Sequence, residues 1–260
     1  MAGKLLITAD TIRHKYFAIQ LLNTFPDVVW VIEPRNRLKY YKIPAHPLMQ
    51  KHFEKLFSTE KDYFEKFVNK EEKLLKERCV FKIDSNGINS KLFLSFLDSL
   101  KPESILTYSV SIIGEKILSK FPGRIWNVHA GLVPYYCGSS TNLMPIIHKK
   151  IEYLGMTIHH ITSKIDSGGV VIQGRPKISS DDDSHTIGCK NTVLASELAK
   201  KVIREFAEQG KVFSFEQDIS KRKVYYKKDF NIENLKKMNQ LIEDGIFKKY
   251  RYKKVDIVEW

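Results

Sequence analysis

The chain has 260 residues, 43% hydrophobic and 28% charged, which is enough apolar material for a full core and argues against disorder throughout. No apolar run approaches the ~18 residues of a membrane span, and three widely spaced cysteines (Cys79, Cys137, Cys189) suit neither a disulfide framework nor a zinc motif. Forty-three Lys and Arg against 30 Asp and Glu leave a net charge of +13, a balance that favours an anionic partner: a nucleotide, a phosphate ester, RNA or an acidic surface.

The first apolar run, at 4–8, is too short for a secretory leader and meets Asp10 at once, so it reads as a buried strand of a cytoplasmic protein. Further strands are expected at 28–32, 80–83, 104–108, 124–128, 155–161 and 170–174. Helical patterns fall at 12–23, 46–76, 90–100, 113–120, 140–149 and 184–209. The early β-α-β-α alternation predicts an α/β fold, a mostly parallel sheet with helices on both faces. From residue 155 two strands follow each other across a loop holding Asp166, which predicts an antiparallel pair. Pro102, Pro122 and Gly123 mark returns from helix to strand.

Two segments look added to this core. A charged helical insertion at about 46–78 carries Phe53, Leu56, Phe57, Tyr63, Phe64 and Phe67, suited to covering a sheet edge, making a homodimer face or flanking a pocket. The division expected is a domain at 1–210 and a small basic, aromatic C-terminal extension at 211–260. Within 219–260 there are twelve Lys or Arg against six Asp or Glu. Elsewhere Lys alternates with Glu, as at 69–78, which reads as a solvated surface.

Asn127 and His129 lie two apart where the run at 124–128 ends, so on a strand they leave the same face at its carboxyl end. That edge is where open α/β sheets bind ligands. Asp166 follows 37 residues after His129, in a loop that turns glycine-rich. An amide, an imidazole and a carboxylate together can polarise a carbonyl, move a proton and hold the imidazole in one tautomer. His129 alone reads better as a structural histidine; the joint pattern reverses that. His159 and His160 are adjacent on an expected strand, so they face opposite ways and make a poor metal pair, and no metal is expected.

The stretch Trp126-Asn127-Val128-His129-Ala130-Gly131-Leu132-Val133-Pro134-Tyr135-Tyr136-Cys137-Gly138, then Gly155-Met156-Thr157-Ile158-His159 and Ile165-Asp166-Ser167-Gly168, resembles the core of the folate-dependent formyltransferases. The resemblance runs from about residue 5 to 201 and comes nearest to the bacterial nucleotide-sugar N-formyltransferases. It implies a Rossmann-like fold and transfer of a formyl group from 10-formyltetrahydrofolate to an amine. Asn127, His129 and Asp166 would be the catalytic triad. Asn127 and His129 would stabilise the oxyanion, His129 would relay the amine's proton, and Asp166 would orient His129. Ser109, Ile112, Ile113, Gly114, Thr162 and Ile165 would wall the folate, and the loop with Tyr135 and Tyr136 would shape the acceptor passage. The chain departs from the family at Cys137, where arginine is usual, which puts an anion contact there in doubt.

The acceptor is read from the first loop. It holds Thr8 to Tyr16 with no glycine, unlike the phosphate-cradling loop of the glycinamide ribonucleotide enzymes. Arg13 and His14 crowd the start of a helix, which favours anions, and resemble a step found in some sugar N-formyltransferases. The expected acceptor is therefore a nucleotide-diphosphate amino sugar of surface polysaccharide (O-antigen) synthesis, met by Arg13 and His14. Solvated helix-start residues are the bland alternative for that pair. Only 94 residues follow Asp166, too few to finish the core and add the barrel of the methionyl-tRNA enzymes. The rivals are another amine acceptor, of tRNA or glycinamide ribonucleotide type, and an inactive homologue that binds nucleotide or nucleic acid.

Overall fold

The structure is a computed structural model that describes residues 3–34, 46–85 and 87–258, the side chains of 79–81 excepted. In chain order the elements begin β1 (Lys4–Thr8), α1 (Ile12–Thr24), β2 (Val28–Ile32), α2 (Pro47–Lys70), α3 (Glu72–Arg78) and β3 (Cys79–Lys82). Next come α4 (Lys91–Leu100), β4 (Ser104–Tyr108), α5 (Glu115–Leu118), β5 (Ile125–His129), β6 (Cys137–Gly138) and α6 (Met144–Ile147). The chain continues through β7 (Met156–His160), β8 (Val170–Gly174), α7 (Ser184–Gln209), β9 (Val224–Tyr225), α8 (Ile232–Glu243) and α9 (Ile246–Lys249).

Seven strands form one sheet in the order β3-β2-β1-β4-β5-β7-β8. The first five are mutually parallel, and β7 and β8 are antiparallel additions, as expected. Alternation along β1 explains the two layers. Leu6 joins Phe17, Leu21, Phe64 and Leu198 on the face of α1, α2 and α7. Leu5 and Ile7 join Phe93, Leu97 and Ile117 on the face of α4 and α5. Each such side chain, once buried, stabilises the fold by about 1.5–3 kcal/mol. The strand order reverses between β1 and β4, and this opens a crevice at the carboxyl ends of both.

The helical predictions need correction in three places. The span expected at 46–76 is two helices broken at Glu71, whose backbone leaves the helical region at φ −103°, ψ 15°. The span at 113–120 is helical only over Glu115–Leu118. At 140–149 only Met144–Ile147 is α-helical, because Ser140 and Lys149 both adopt left-handed backbone. The C-terminal extension, for which no elements were anticipated, holds β9, α8 and α9. Its Leu235, Met238 and Phe247 form a third core with Met49 and Phe53 of α2. So the insertion flanks the crevice and is clamped by the extension.

Candidate functional site

The crevice is a cavity of about 900 Å³ along the carboxyl ends of β1, β4 and β5, bordered by Ala9, Tyr108, Asn127 and His129. Asn127 and His129 leave β5 on one face. Antiparallel pairing sets His159 directly across from Asn127, and Thr157 across from His129. Asp166 arrives from the β7–β8 loop with a left-handed backbone, φ 44°. The three residues singled out in the sequence therefore converge.

Asp166 is the hub. Its Oδ2 lies 3.3 Å from His129 Nδ1 and accepts a 2.7 Å hydrogen bond from the Gly138 N–H. Its Oδ1 lies 3.3 Å from His159 Nε2. Burial pushes the Asp166 carboxyl up, but the charge of His129, the His159 contact and the Gly138 N–H outweigh it and hold the group well below the usual carboxylate range. Gly138 is required here: its φ is 92°, and a Cβ would stand 2.1 Å from the Tyr225 carbonyl oxygen.

His129 Nε2–H donates to the Tyr136 carbonyl at 2.8 Å, so the ring is held at both nitrogens. His159 Nδ1–H donates to the His160 carbonyl at 2.8 Å, which leaves Nε2 between Asp166 and the Asn127 amide nitrogen at 3.3 Å. One nitrogen cannot both accept from Asn127 and donate to Asp166. A proton on Nε2 therefore switches its partner from the amide to the carboxylate. The Thr107 hydroxyl donates to Asn127 Oδ1 at 3.2 Å and orients that amide.

Of the other expected site residues, Ser109, Ile112 and Ile165 border the cavity. Ile112 and Ile165 are 77% and 44% exposed, apolar edges suited to a flat ring. Ile113 is not a wall; it is buried beneath α4 and α5. Gly114 starts α5, its N–H bound to Asn89 Oδ1, and the Thr162 hydroxyl bonds Ser167 within its own loop. Tyr135 and Tyr136 also lie off the cavity. Tyr136 stacks on Tyr225 with ring centroids 5.5 Å apart, and Tyr135 packs on Tyr153. Apolar stacking takes both rings into the third core.

Arg13 and His14 border the cavity, but neither is a simple solvated group. Arg13 Nη1 lies 3.5 Å from the buried Glu60 of α2, and His14 Nδ1 meets the Thr11 hydroxyl at 2.7 Å. Cys137 is buried, and its thiol is pushed up to about 12 by burial and by Asp166, so it provides no anion contact. Cys137 and Cys189 are free thiols. No group of His, Cys, Asp and Glu among the described residues could hold a metal.

The sequence offered the insertion with Phe53 as a flank of a pocket and the basic extension as a wall of a nucleotide site, without naming the other residues of the far wall. His52 and Phe53 of α2, Ser184 and His185 at the start of α7, and Lys227, Lys228 and Phe230 of the extension border the same cavity. His52 Nδ1 lies 3.2 Å from His185 Nε2, and Lys55 binds Asp183 at 2.6 Å. Burial and the neighbouring His185 bring His52 down to about 4, so it is neutral at pH 7. Among the described residues lining the cavity, Asp166 is the only carboxylate, against Arg13, Lys227, Lys228 and four histidines.

Comparison with known proteins bears on the fold and the family. An N-formyltransferase from Helicobacter canadensis, solved with folinic acid and dTDP-3-aminofucose, superposes with a TM-score of 0.60 at 15% identity, covering 94% of this chain and 80% of that one. A sugar N-formyltransferase from a Shewanella species gives 0.61 at 17% identity, covering 92% and 88%. At such identities the likeness concerns the fold. By sequence, the methionyl-tRNA formyltransferase of Thermotoga maritima is 33% identical over 143 residues, 54% of this chain but only 44% of that relative's length. No helix among the described residues is long and apolar enough to cross a membrane. Residues 46–203, which hold the whole Asn127–His129–Asp166 constellation, match the formyl transferase family, and the chain belongs to that family.

Proposed function

We propose that the protein transfers a formyl group from 10-formyltetrahydrofolate to the amine of a nucleotide-linked amino-deoxy sugar, in the cytoplasm, for a surface polysaccharide. One observation carries the reading: the triad opens onto a cavity whose described walls bear Lys227, Lys228 and the Glu60-paired Arg13 against a single carboxylate, Asp166. An acceptor with a diphosphate fits that field. The solved relative with folinic acid and dTDP-3-aminofucose supports the same pairing of ligands. A cytoplasmic setting suits the free thiols of Cys137 and Cys189.

The folate supplies the formyl group on its N10. Ser109, Ile112 and Ile165 would hold its flat ring at the mouth of the cavity. As the acceptor amine bonds to the formyl carbon, the carbonyl oxygen gains negative charge and the nitrogen gains positive charge. The Asn127 amide N–H donates to that oxygen, a contribution of roughly 3 kcal/mol to the barrier. His129 turns its Nε2 from the Tyr136 carbonyl to the reacting group with the ring's single proton on Nδ1, toward Asp166, so that Nε2 takes the amine's proton and delivers it to N10 as the bond between N10 and the formyl carbon breaks. Asp166 stabilises the resulting imidazolium.

Replacing His129 with Asn, or Asp166 with Asn, abolishes formyl transfer in folded protein on this reading. Near-wild-type turnover in either variant rejects it. Thermal-shift measurement against GDP, UDP and dTDP identifies the base, since a nucleotide at a hundred times its Kd stabilises the fold by about 2.7 kcal/mol. The 33% identity to a methionyl-tRNA formyltransferase favours a second reading, with charged initiator tRNA as acceptor. Tight tRNA binding with a steep salt slope, and no nucleotide-dependent shift, decides for that acceptor.

A further inference from the structure

Asp166 sits in a loop whose own side-chain hydrogen bonds do not reach it. Within it, the Thr162 and Ser167 hydroxyls bond each other and the Lys164 carbonyl. Asp166 itself holds a left-handed backbone, a conformation that costs a non-glycine residue roughly 1 kcal/mol and persists where the surroundings over-determine it. The Asp166 carbonyl also accepts from the Cys137 thiol at 3.7 Å, and its other backbone partners come from the C-terminal extension. The Gln217 amide nitrogen donates to the Asp166 carbonyl at 2.9 Å and to the Gly168 carbonyl at 2.7 Å, so both its hydrogens go to one loop. The Arg222 guanidinium donates to the Ile165 carbonyl.

The same stretch of extension controls the other side of Asp166. The Lys223 N–H donates to the Pro134 carbonyl at 2.9 Å, and the Lys223 carbonyl accepts from the Cys137 N–H at 2.9 Å. The Tyr225 carbonyl accepts from the Ser139 N–H at 2.8 Å, and β9 runs parallel to β6 in this register. Between those two bonds lies Gly138, whose N–H meets Asp166 Oδ2. Residues 217–225 therefore fix both the backbone of Asp166 and the donor that holds its carboxylate.

Resting on the formyl-transfer reading, we propose that Gln217 is a positioning residue for the reaction: seconded by Arg222, it holds Asp166 at the angle that presents its two oxygens to His129 and His159. Gln217 is 9% exposed, and its own Oε1 has no hydrogen-bond partner among the described residues. Both of its donors go to the Asp166 and Gly168 carbonyls. The sheet alone does not complete the site; the extension does.

The experiment replaces Gln217 with Leu, which keeps the volume, and separately with Glu, which keeps the length but turns acceptors toward the two carbonyls. The first readout is the Gly138 amide proton, followed by NMR. In the wild type it should lie far downfield, as an N–H bound to a carboxylate does, and it should titrate only in strong acid. In either folded variant the signal should move upfield and its acid midpoint should rise, with the amides of β8 unchanged. The second readout is steady-state kinetics: kcat should fall at least tenfold while the KM values for folate and acceptor stay within about twofold. An unmoved Gly138 signal in both variants overturns the proposal, whatever the protein catalyses. An unchanged kcat in an active enzyme also overturns it. If the wild type formylates nothing, the functional reading fails, and the Gly138 signal alone judges whether Gln217 positions Asp166.

Discussion

At the scale of single residues, the site depends on how few atoms serve how many partners. Asp166 divides its oxygens between two imidazoles and one backbone N–H, and His159 Nε2 is shared between Asp166 and Asn127. His159→Leu should therefore lower kcat at least about tenfold while leaving Asn127 and His129 in place, because the carboxylate loses one of the two imidazoles that hold its oxygens. A pH–rate profile for kcat unchanged in shape and height would remove His159 from the machinery. Asp166 also makes a prediction about stability. Its folded pKa is depressed, so the stability it contributes is present above its ordinary unfolded value near 3.9 and is lost as pH falls through the lower folded value. The difference in urea midpoint between wild type and Asp166→Asn should be full at pH 6 and should shrink in the acid range below pH 4.

At the scale of elements, the start of α7 shows what a cap can do beside a cavity. The Asp183 carboxylate accepts from the His185 and Thr186 N–H groups, while the Thr186 hydroxyl accepts from the Asp183 N–H, a reciprocal capping box. Lys55 of α2 binds the same carboxylate and ties the two helices. Asp183→Ala should cost about 1–2 kcal/mol, read as a lower urea midpoint. Nearby His52 has its folded pKa lowered to about 4, so the unfolded chain binds the extra proton between pH 6.5 and 4. Stability falls as pH drops through that window, and His52→Phe should flatten the fall. These elements also show what a sequence discloses. Strands at 4–8, 28–32, 104–108 and 170–174 and the helix at 184–209 were legible because periodicity and punctuation are local. Asn127, His129 and Asp166 were legible as a motif. His159 was passed over because its role depends on the antiparallel register of β5 with β7, and Gln217 because its partners lie 51 and 49 residues away. Tyr135 and Tyr136 were misplaced because only the packing of the extension decides which way a loop's rings turn.

At the scale of the whole molecule, charge and architecture serve one end. The net charge of +13 is weighted toward the extension, and the described lining of the cavity draws on it: Lys227 and Lys228 come from the extension and Arg13, paired with Glu60, from α1, with Asp166 the sole carboxylate and already engaged by two histidines. Lysine side chains at the rim act through water, where the Debye length shrinks from about 10 Å at 0.1 M salt to about 3 Å at 1 M. The triad lies deeper, with His129 6% exposed, and its contacts are screened far less. Salt should therefore separate binding from chemistry. Raising NaCl from 0.05 to 0.5 M should increase the KM for a nucleotide-linked amino sugar severalfold while kcat changes less than about twofold. Lys227→Ala combined with Lys228→Ala should raise that KM at low salt and flatten its salt dependence, leaving the folate KM nearly unchanged. A KM indifferent to salt in the wild type would mean that the basic wall does not recruit the acceptor, and the anionic half of the substrate would have to be sought elsewhere on the surface.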